Sequence, residues 1–301
     1  MHPDSPEHFD EPVFPRHSAC LALALVAASP VPLLAQSATG GKLLLTGGVT
    51  QVEGAAGGGL TPWALIGGYG ARGQFGANAT YTRVDVDDYN LGVWGVVVGY
   101  NDRVELSYAR QVFDTEGVGA LLGLGRGFEF EQDVIGAKLR IAGDAVLEQD
   151  SWLPQIALGV QHKRNRQGDV VRAVGAEDDS GTDVYLSATK LFLAQSLLLN
   201  GTLRYTEANQ LGILGFGGDR GSGSLQWEAS AAYLLTRQLA LGAEYRSKPD
   251  QLSIAAEDAW WDVFLAWAPN RHVSVTLAYV DLGNVVLAEQ SGTYLSVQVG
   301  F

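Results

Sequence analysis

The stretch SLQWEASAAYLLTRQLALGAEYRS, residues 224–247, decides the fold class. Large apolar side chains such as Leu225 and Trp227 alternate with polar ones up to Thr236–Arg237, and the alternation resumes after this pair through Tyr245. A period of two on both sides of a two-residue turn is typical of a β-hairpin with one apolar and one polar face. This part of the chain is therefore predicted to form two antiparallel strands.

The same plan recurs in WWDVFLAWAPNRHVSVTLAYVD, residues 260–281, and in YLSVQVGF, residues 294–301. The connections between strand-like runs alternate in length. Long ones are predicted at 114–127, 166–181, 209–222, 249–257 and 282–291, and short ones at 101–102, 194–196, 236–237 and 269–270. Counting runs along the whole chain gives about fourteen strands, with twelve as the alternative. Two of the fourteen flank the glycine-rich stretch EGAAGGGLTP, residues 53–62, which is predicted to be a loop between them.

Short turns at one rim, long loops at the other and an even strand number are typical of bacterial outer-membrane barrels. The chain is accordingly predicted to be all-β, a single transmembrane antiparallel up-and-down β-barrel with short periplasmic turns and long extracellular loops. Aromatic residues near both ends of the strands agree with two membrane-interface girdles. The predicted interface residues are Tyr205, Trp227, Tyr233, Tyr245, Trp261, Trp267, Tyr279 and Phe301. A soluble β-sandwich explains neither the girdles nor the unequal connections.

Residues 1–35 have the pattern of a secretory signal peptide. Arg16 precedes a run of small and leucine side chains that ends at Ala35, while Pro30 and Pro32 disfavour a membrane-anchoring helix. Cleavage of this segment would leave residues 36–301 as the barrel domain. The predicted location is the outer membrane of a Gram-negative bacterium, so outer-membrane lipid is an expected partner.

Composition argues against several other function classes. The formal net charge is −13, whereas a nucleic-acid-binding surface needs clustered cations. After removal of the signal, no cysteine remains and only His162 and His272 are left, which does not favour a metal site. No catalytic residue, metal or cofactor is predicted. A barrel-embedded lipid hydrolase is a third functional reading, based on Ser274 near His272, but no acidic residue is evident beside them.

Two segments resemble a known family. GKLLLTGGVTQVEGAAGGGLTPWALIGGYG (41–70) and GDAVLEQDSWLPQIALGVQHKRN (143–165) are similar to the uncharacterised proteobacterial proteins grouped as domain of unknown function 3034. The resemblance implies an outer-membrane protein and supplies no catalytic or ligand residues. The closing strand, which ends at Phe301, also resembles the C-terminal signature of outer-membrane proteins. That resemblance implies recognition by the barrel assembly machinery.

The polar face of the strands is predicted to line the lumen with charges of both signs. The predicted lumen-lining charged residues are Lys138, Arg140, Arg204, Glu228, Glu244, Arg246 and Asp262. Such a wall favours a passive pore or small-solute uptake channel with a mixed-charge lumen. The alternative is a non-conducting structural or surface-interaction barrel, in which the same charges form ion pairs in a closed lumen. Fourteen strands lie between barrels filled by their own side chains and barrels with aqueous channels, so strand number alone leaves both readings open.

Overall fold

A computed structural model describes residues 42–301, so the predicted signal peptide lies outside the described residues. Two short strands, β1 (Val49–Thr50) and β2 (Ala56–Gly57), pair with each other. Twelve longer strands form a closed barrel. They are β3 (Phe75–Val86), β4 (Asn90–Tyr100), β5 (Val104–Asp114), β6 (Glu129–Ala142), β7 (Gln155–Asn165), β8 (Ser180–Phe192), β9 (Leu197–Thr206), β10 (Ser224–Leu234), β11 (Leu239–Arg246), β12 (Trp260–Asn270), β13 (Val273–Val285) and β14 (Ala288–Gly300).

Each barrel strand pairs antiparallel with the next one along the chain, and β14 closes the sheet against β3. The closing register runs from Gly292 opposite Val86 to Gly300 opposite Asn78. Closure pairs the backbone N–H and C=O groups of every strand, which a sheet surrounded by lipid requires. The fold class predicted from alternation, an antiparallel up-and-down barrel, is confirmed.

The alternation of side chains explains why the strands have an inside and an outside. In β7 the odd-numbered residues from Gln155 to Asn165 are buried, whereas Leu158, Val160 and His162 are exposed on the outer surface. Successive residues of a strand point to opposite faces. Hence a polar residue at every second position forms a polar interior, and apolar residues between them form an apolar outer surface.

The connections define two ends of the barrel. The turn end carries the connections 101–103, 143–154, 193–196, 235–238 and 271–272, and the loop end carries 87–89, 115–128, 166–179, 207–223, 247–259 and 286–287. The loop-end connections include the short helices α1 (Val118–Leu121) and α2 (Gly168–Ala173). In residues 42–301 no helix is long and apolar enough to cross a membrane.

The predicted long loop at 282–291 is wrong. Strands β13 and β14 extend through it, with Asn284 opposite Glu289 and Val285 opposite Ala288. The register shifts between Asp281 and Asn284, where Gly283 has a φ of +54°. Residues 282–283 thus form a bulge within a continuing hairpin, instead of the start of a loop.

The preferred count of fourteen barrel strands is also wrong, and the alternative of twelve is confirmed. The two runs that flank the glycine-rich stretch lie inside the barrel instead of in its wall. Every residue from Val49 to Gly68 is buried. A wall strand must expose every second residue to the outside, so a segment buried on all sides cannot be part of the wall.

Candidate functional site: the filled lumen

Residues 46–70, here called the inner segment, run through the interior of the barrel. The segment turns back on itself at residues 51–55, where the N–H of Gln51 donates to the carbonyl oxygen of Ala55 at 3.0 Å. It then returns towards the turn end, where the N–H of Tyr69 donates to the carbonyl oxygen of Phe301 at 3.1 Å. Glu53, near the fold-back, is its only Asp, Glu, Lys or Arg residue.

Glu53 belongs to a closed ring of alternating charges. One of its carboxylate oxygens contacts Lys163, and the other lies 2.6 Å from Arg246 and 3.5 Å from Arg204. The wall completes the ring through four further ion pairs. They are Lys163–Asp183 at 2.6 Å, Asp183–Arg204 at 3.0 Å, Arg204–Glu228 at 2.6 Å and Glu228–Arg246 at 3.6 Å.

The ring is buried and electrically balanced only with the inner segment in place. None of its six side chains is more than 4% exposed. The wall contributes three cations but only two carboxylates, so the carboxylate of Glu53 supplies the third negative charge. A buried charge without a partner is costly. Withdrawal of Glu53 would therefore leave one uncompensated positive charge on the wall.

A second charged contact lies nearer the turn end. Glu105 accepts hydrogen bonds from the N–H groups of Ala56 at 3.0 Å and Gly67 at 2.8 Å. Lys138, which is 3.1 Å from Glu105, donates to the carbonyl oxygens of Ala56 and Leu65, both at 2.8 Å. One wall ion pair thus binds the backbone of the inner segment both at Ala56 and at residues 65–67.

Glu244 provides the third contact. It accepts hydrogen bonds from the N–H of Leu60 at 2.7 Å and from the hydroxyl of Thr61 at 2.6 Å. Ser230 donates to the same carboxylate at 2.9 Å and accepts from the indole N–H of Trp63 at 3.0 Å. The inner segment is therefore held by carboxylates and ammonium or guanidinium groups at three places.

Glycines permit this close approach. A Cβ on Gly58 would lie 1.9 Å from a carboxylate oxygen of Glu244, and a Cβ on the wall residue Gly99 would lie 2.3 Å from the carbonyl oxygen of Gly67. A side chain at Gly58 would displace the Glu244 carboxylate, and one at Gly99 would collide with backbone. The glycine-rich sequence of the segment thus reflects contact with the wall.

Six of the seven predicted lumen-lining charges lie buried inside the barrel: Lys138, Arg204, Glu228, Glu244, Arg246 and Asp262. Asp262 is opposite Glu244 in the β11–β12 register. The seventh, Arg140, lies at the turn-end rim, half-buried, where it pairs with Asp102 at 2.5 Å and Asp144 at 3.2 Å. Their proposed role in a pore stays a prediction.

Sequence reasoning missed four charged residues of the interior: Glu53, Glu105, Lys163 and Asp183. The last three occupy inward positions of clearly alternating strands, so extending the alternation through β5, β7 and β8 would have found them. Glu53 had no such signal, because the glycine-rich stretch around it was interpreted as a surface loop.

All eight predicted interface aromatics lie on the outer face of the barrel or at its rim. Trp227 stacks on Tyr245 with ring centroids 4.4 Å apart, and Trp261 lies 5.8 Å from Tyr279. Outward aromatics that the sequence analysis did not select include Tyr81, Trp94 and Tyr108 along β3–β5 and Phe75 and Tyr100 at the turn end. Their contact with membrane remains an expectation.

The two ends of the lumen differ. At the turn end a cavity of about 630 Å³ lies beside the inner segment and is lined by residues that include Arg72, Arg103, Arg140 and Asp144. At the loop end, the 207–223 connection lies over the interior, and Ile213 and Leu214 pack with Phe130, Val171 and Leu252. The loop end is therefore capped by apolar packing, while the turn end contains open space.

His272 and Ser274, the pair behind the lipid-hydrolase interpretation, lie apart in their contacts. In residues 42–301 no three His, Cys, Asp or Glu side chains are grouped as ligands for a metal ion. Nδ1 of His272 lies 3.0 Å from the carbonyl oxygen of Gly300, and Ser274 is buried on the inner face. No contact between His272 and Ser274 is formed among the described residues, so the pair lacks the geometry of an activated nucleophile.

Comparison with known proteins agrees with the fold. A family model described as Protein of unknown function (DUF3034) matches residues 46–298. An outer membrane channel from Pseudomonas putida F1 is similar over 76% of this chain and 95% of its own, with 10% identity and a TM-score of 0.51. The KdgM porin is similar over 74% of this chain and 99% of its own, with 11% identity and a TM-score of 0.50. A search among curated proteins finds no match.

Proposed function

The chain belongs to the DUF3034 family of proteins of unknown function, and from this membership and the attachment of the inner segment we propose that it is an outer-membrane channel closed by that segment. The turn end faces the periplasm and the loop end faces the outside. The channel admits small solutes when the inner segment moves away from the wall. Glu53, Glu105 and Glu244 mark the contacts that have to break.

The observation that carries the proposal is how the inner segment is attached. Its strands β1 and β2 pair within the segment and not with the wall, so it contributes no strand to the closed barrel of residues 75–300. Three charged contacts hold it to the wall. The segment can therefore leave while the backbone ladder of the barrel stays intact, and water can solvate the polar wall that remains.

The energetics of buried ion pairs support the same reading. A buried pair or ring contributes little net stability compared with well-packed apolar residues, because desolvation offsets the Coulomb attraction. A barrel that only needed a filled interior would gain as much from apolar side chains. A charged wall has a further use in a pore, where it selects ions.

Barrel size and similarity are compatible with this function. Twelve strands lie between barrels of eight strands, which side chains fill, and barrels of sixteen or more, which leave aqueous channels. Two barrels of similar fold are described as a channel and a porin. At 10% and 11% identity, this likeness concerns the fold alone.

A reversible crosslink between segment and wall tests the proposal. The hydroxyl oxygens of Thr61 and Ser230 lie 2.6 Å apart, close enough for a disulfide in a Thr61→Cys/Ser230→Cys double variant. Conductance is recorded in planar bilayers under oxidising and reducing conditions. We expect wild-type conductance in reductant and its loss on oxidation. The Thr61→Cys single variant is the matched control and should not respond to oxidant.

Two results would overturn the proposal. Unchanged conductance in the fully crosslinked protein would mean that solutes do not need movement of the inner segment. Lack of conductance both in folded wild-type protein and in a folded variant without residues 46–68 would favour the non-conducting structural barrel. The second variant is needed because a silent wild type alone is also expected from a tightly closed channel.

Orientation requires its own test. A cysteine introduced at Gly168, in the loop-end helix α2, should react with a membrane-impermeant reagent on intact cells. One introduced at Asn270, at the turn end of β12, should be protected until the outer membrane is permeabilised. The opposite pattern would reverse the proposed orientation.

A further inference from the structure

We propose that Lys163, Arg204 and Arg246 form a binding site for a small monocarboxylate solute, and that the side chain of Glu53 occupies this site in the closed barrel. The inference rests on the proposed function, because a solute can reach the three cations only when the inner segment has moved. Glu53 then acts as an internal competitor for the solute. Binding of one displaces the other.

The contacts of Glu53 define the ligand chemistry. Its carboxylate is held from two sides, with one oxygen at Lys163 and the other 2.6 Å from Arg246. Arg204 approaches this second oxygen to 3.5 Å, and its Nη2 makes no hydrogen bond with any residue of 42–301. A spare guanidinium donor beside a bound carboxylate oxygen can hydrogen-bond a ligand that sits slightly closer than Glu53 does.

The wall holds Lys163 and Arg204 in place without Glu53, and Glu228 lies 3.6 Å from Arg246. Asp183 lies 2.6 Å from Lys163 and 3.0 Å from Arg204, while Glu228 lies 2.6 Å from Arg204. The Arg204 guanidinium also lies over the ring of Tyr185, with 5.2 Å from its central carbon to the ring centroid. Because the site is formed by neighbouring strands of a closed sheet, it stays preorganised when the inner segment leaves.

Charge selects a monoanion. Three cations and two wall carboxylates leave one positive charge, which a single carboxylate neutralises as Glu53 does. A second negative charge on the ligand would lie close to Asp183 and Glu228 and would be repelled. Two oxygens bound on opposite sides fit a planar carboxylate better than a spherical halide.

Chemical rescue tests the site directly. In Glu53→Ala, the four non-hydrogen atoms lost from the side chain equal in number those of acetate. The thermal unfolding temperature of the purified variant is measured in detergent with sodium acetate, sodium chloride or sodium sulfate at equal ionic strength. We expect acetate to raise this temperature in Glu53→Ala more than the other salts do, and to have no such selective effect on wild-type protein.

A matched double variant controls for charge. Glu53→Ala/Arg246→Gln has two cations and two wall carboxylates at the site, so its charge is already balanced and acetate should give no selective shift. If Glu53→Ala does not fold in chloride, its refolding yield in acetate against chloride provides the same comparison. Glu53→Gln, which keeps the side-chain volume, is the second variant in which binding can be measured.

The outcomes separate the alternatives. Equal shifts with acetate, chloride and sulfate would overturn the carboxylate assignment in favour of general anion screening. An equal acetate effect in the double variant would mean that acetate acts elsewhere, and no selective effect in folded Glu53→Ala and Glu53→Gln would reject the site. The readout is stability, so a barrel that fails to conduct can still pass this test, and a conducting barrel can still fail it.

Discussion

Strand β7 and the inner segment differ in how they contact the rest of the barrel. β7 exposes every second side chain and pairs along its length with β6 and β8. The inner segment exposes almost nothing, and its backbone meets the wall through side chains such as Glu105 and Glu244. The wall is therefore stabilised by a closed backbone ladder that tolerates changes of side chain, whereas the inner segment depends on ion pairs, hydrogen bonds and apolar packing with wall side chains.

Glu53→Lys should have the largest effect on the inner segment while leaving the wall folded. It places four cations around two carboxylates in a buried ring, and breaking a buried pair by loss of one partner costs about 3–5 kcal/mol. We expect the inner segment to leave the lumen while the barrel stays folded. Protease cleavage within residues 46–70, on barrels that still show heat-modifiable migration, measures both effects. The exposed Glu289→Lys provides the control.

Wild-type protease protection of the inner segment in Glu53→Lys would contradict the prediction. It would show that the segment is held without the charged ring, by apolar packing. Leu60, Trp63 and Leu65 belong to the core cluster that also includes Trp260 and Tyr294 of the wall. If that packing dominates, the ring is dispensable for closure. Loss of the barrel itself would show instead that the segment is needed for folding.

Gly99→Ala should have the second largest effect, and it acts from the wall side. The added methyl group would lie 2.3 Å from the carbonyl oxygen of Gly67, a backbone atom that cannot rotate away. Overpacking of this kind costs about 1–3 kcal/mol. We expect partial loss of protease protection in residues 46–70. Gly201→Ala in β9 is the matched control, since no atom lies within 4 Å of its added Cβ; equal loss of protection in both variants would contradict the prediction.

The barrel could be predicted from sequence because its signal is local and repeated. A two-residue period in β10 to β14 places Glu228, Glu244 and Arg246 inside without knowledge of the partner strands. The same rule failed for the inner segment, since a chain buried on all sides has no exposed face to reveal its period. Its glycines and Pro62 suggested a surface loop, and only the three-dimensional contacts show that they fit against the wall.

The ring illustrates why the site was only half predictable. Alternation indicates which wall residues point inward but not what they meet there. Whether water or a further carboxylate faces Arg204 and Arg246 depends on Glu53, which lies 193 positions before Arg246 and which no local pattern connects to them. The sequence predicted a charged lumen and left its occupant unknown.

The stability of the two ends of the barrel should respond oppositely to pH. These effects should be smaller than those of Glu53→Lys and Gly99→Ala. In the loop-end connection, burial raises the pKa of Glu257 above its ordinary value, although Lys248 at 2.8 Å opposes this. At the turn end, partial burial alone would raise the pKa of Asp144, but the N–H groups of Leu147 and Val146 and the Arg140 guanidinium outweigh it and lower the pKa.

The signs follow from linkage. The contribution of Glu257 to the stability of the loop end is complete below about pH 4.3, the ordinary pKa of Glu, and is lost as pH rises through the raised pKa. The contribution of Asp144 to the stability of the turn end is complete well above about pH 3.9, the ordinary pKa of Asp, and is lost as pH falls through the lowered pKa. We expect hydrogen exchange, corrected for intrinsic rates, to slow in residues 247–259 and to quicken in residues 143–149 on acidification. Glu257→Gln should abolish only the first trend, and parallel trends in wild type would contradict the assignment.

Phe301→Asp should have the smallest effect on the inner segment. The backbone of Phe301 accepts hydrogen bonds from Tyr69 and Ala77, but its side chain is 55% exposed and can change without altering them. Protease protection of residues 46–70 in folded protein should therefore match wild type. The predicted role of the side chain lies in recognition by the barrel assembly machinery, so the amount of folded protein in the outer membrane should fall, while Val299→Ala provides an outward-facing control in the same strand. Reduced protection with normal yield would instead assign the residue to closure of the lumen.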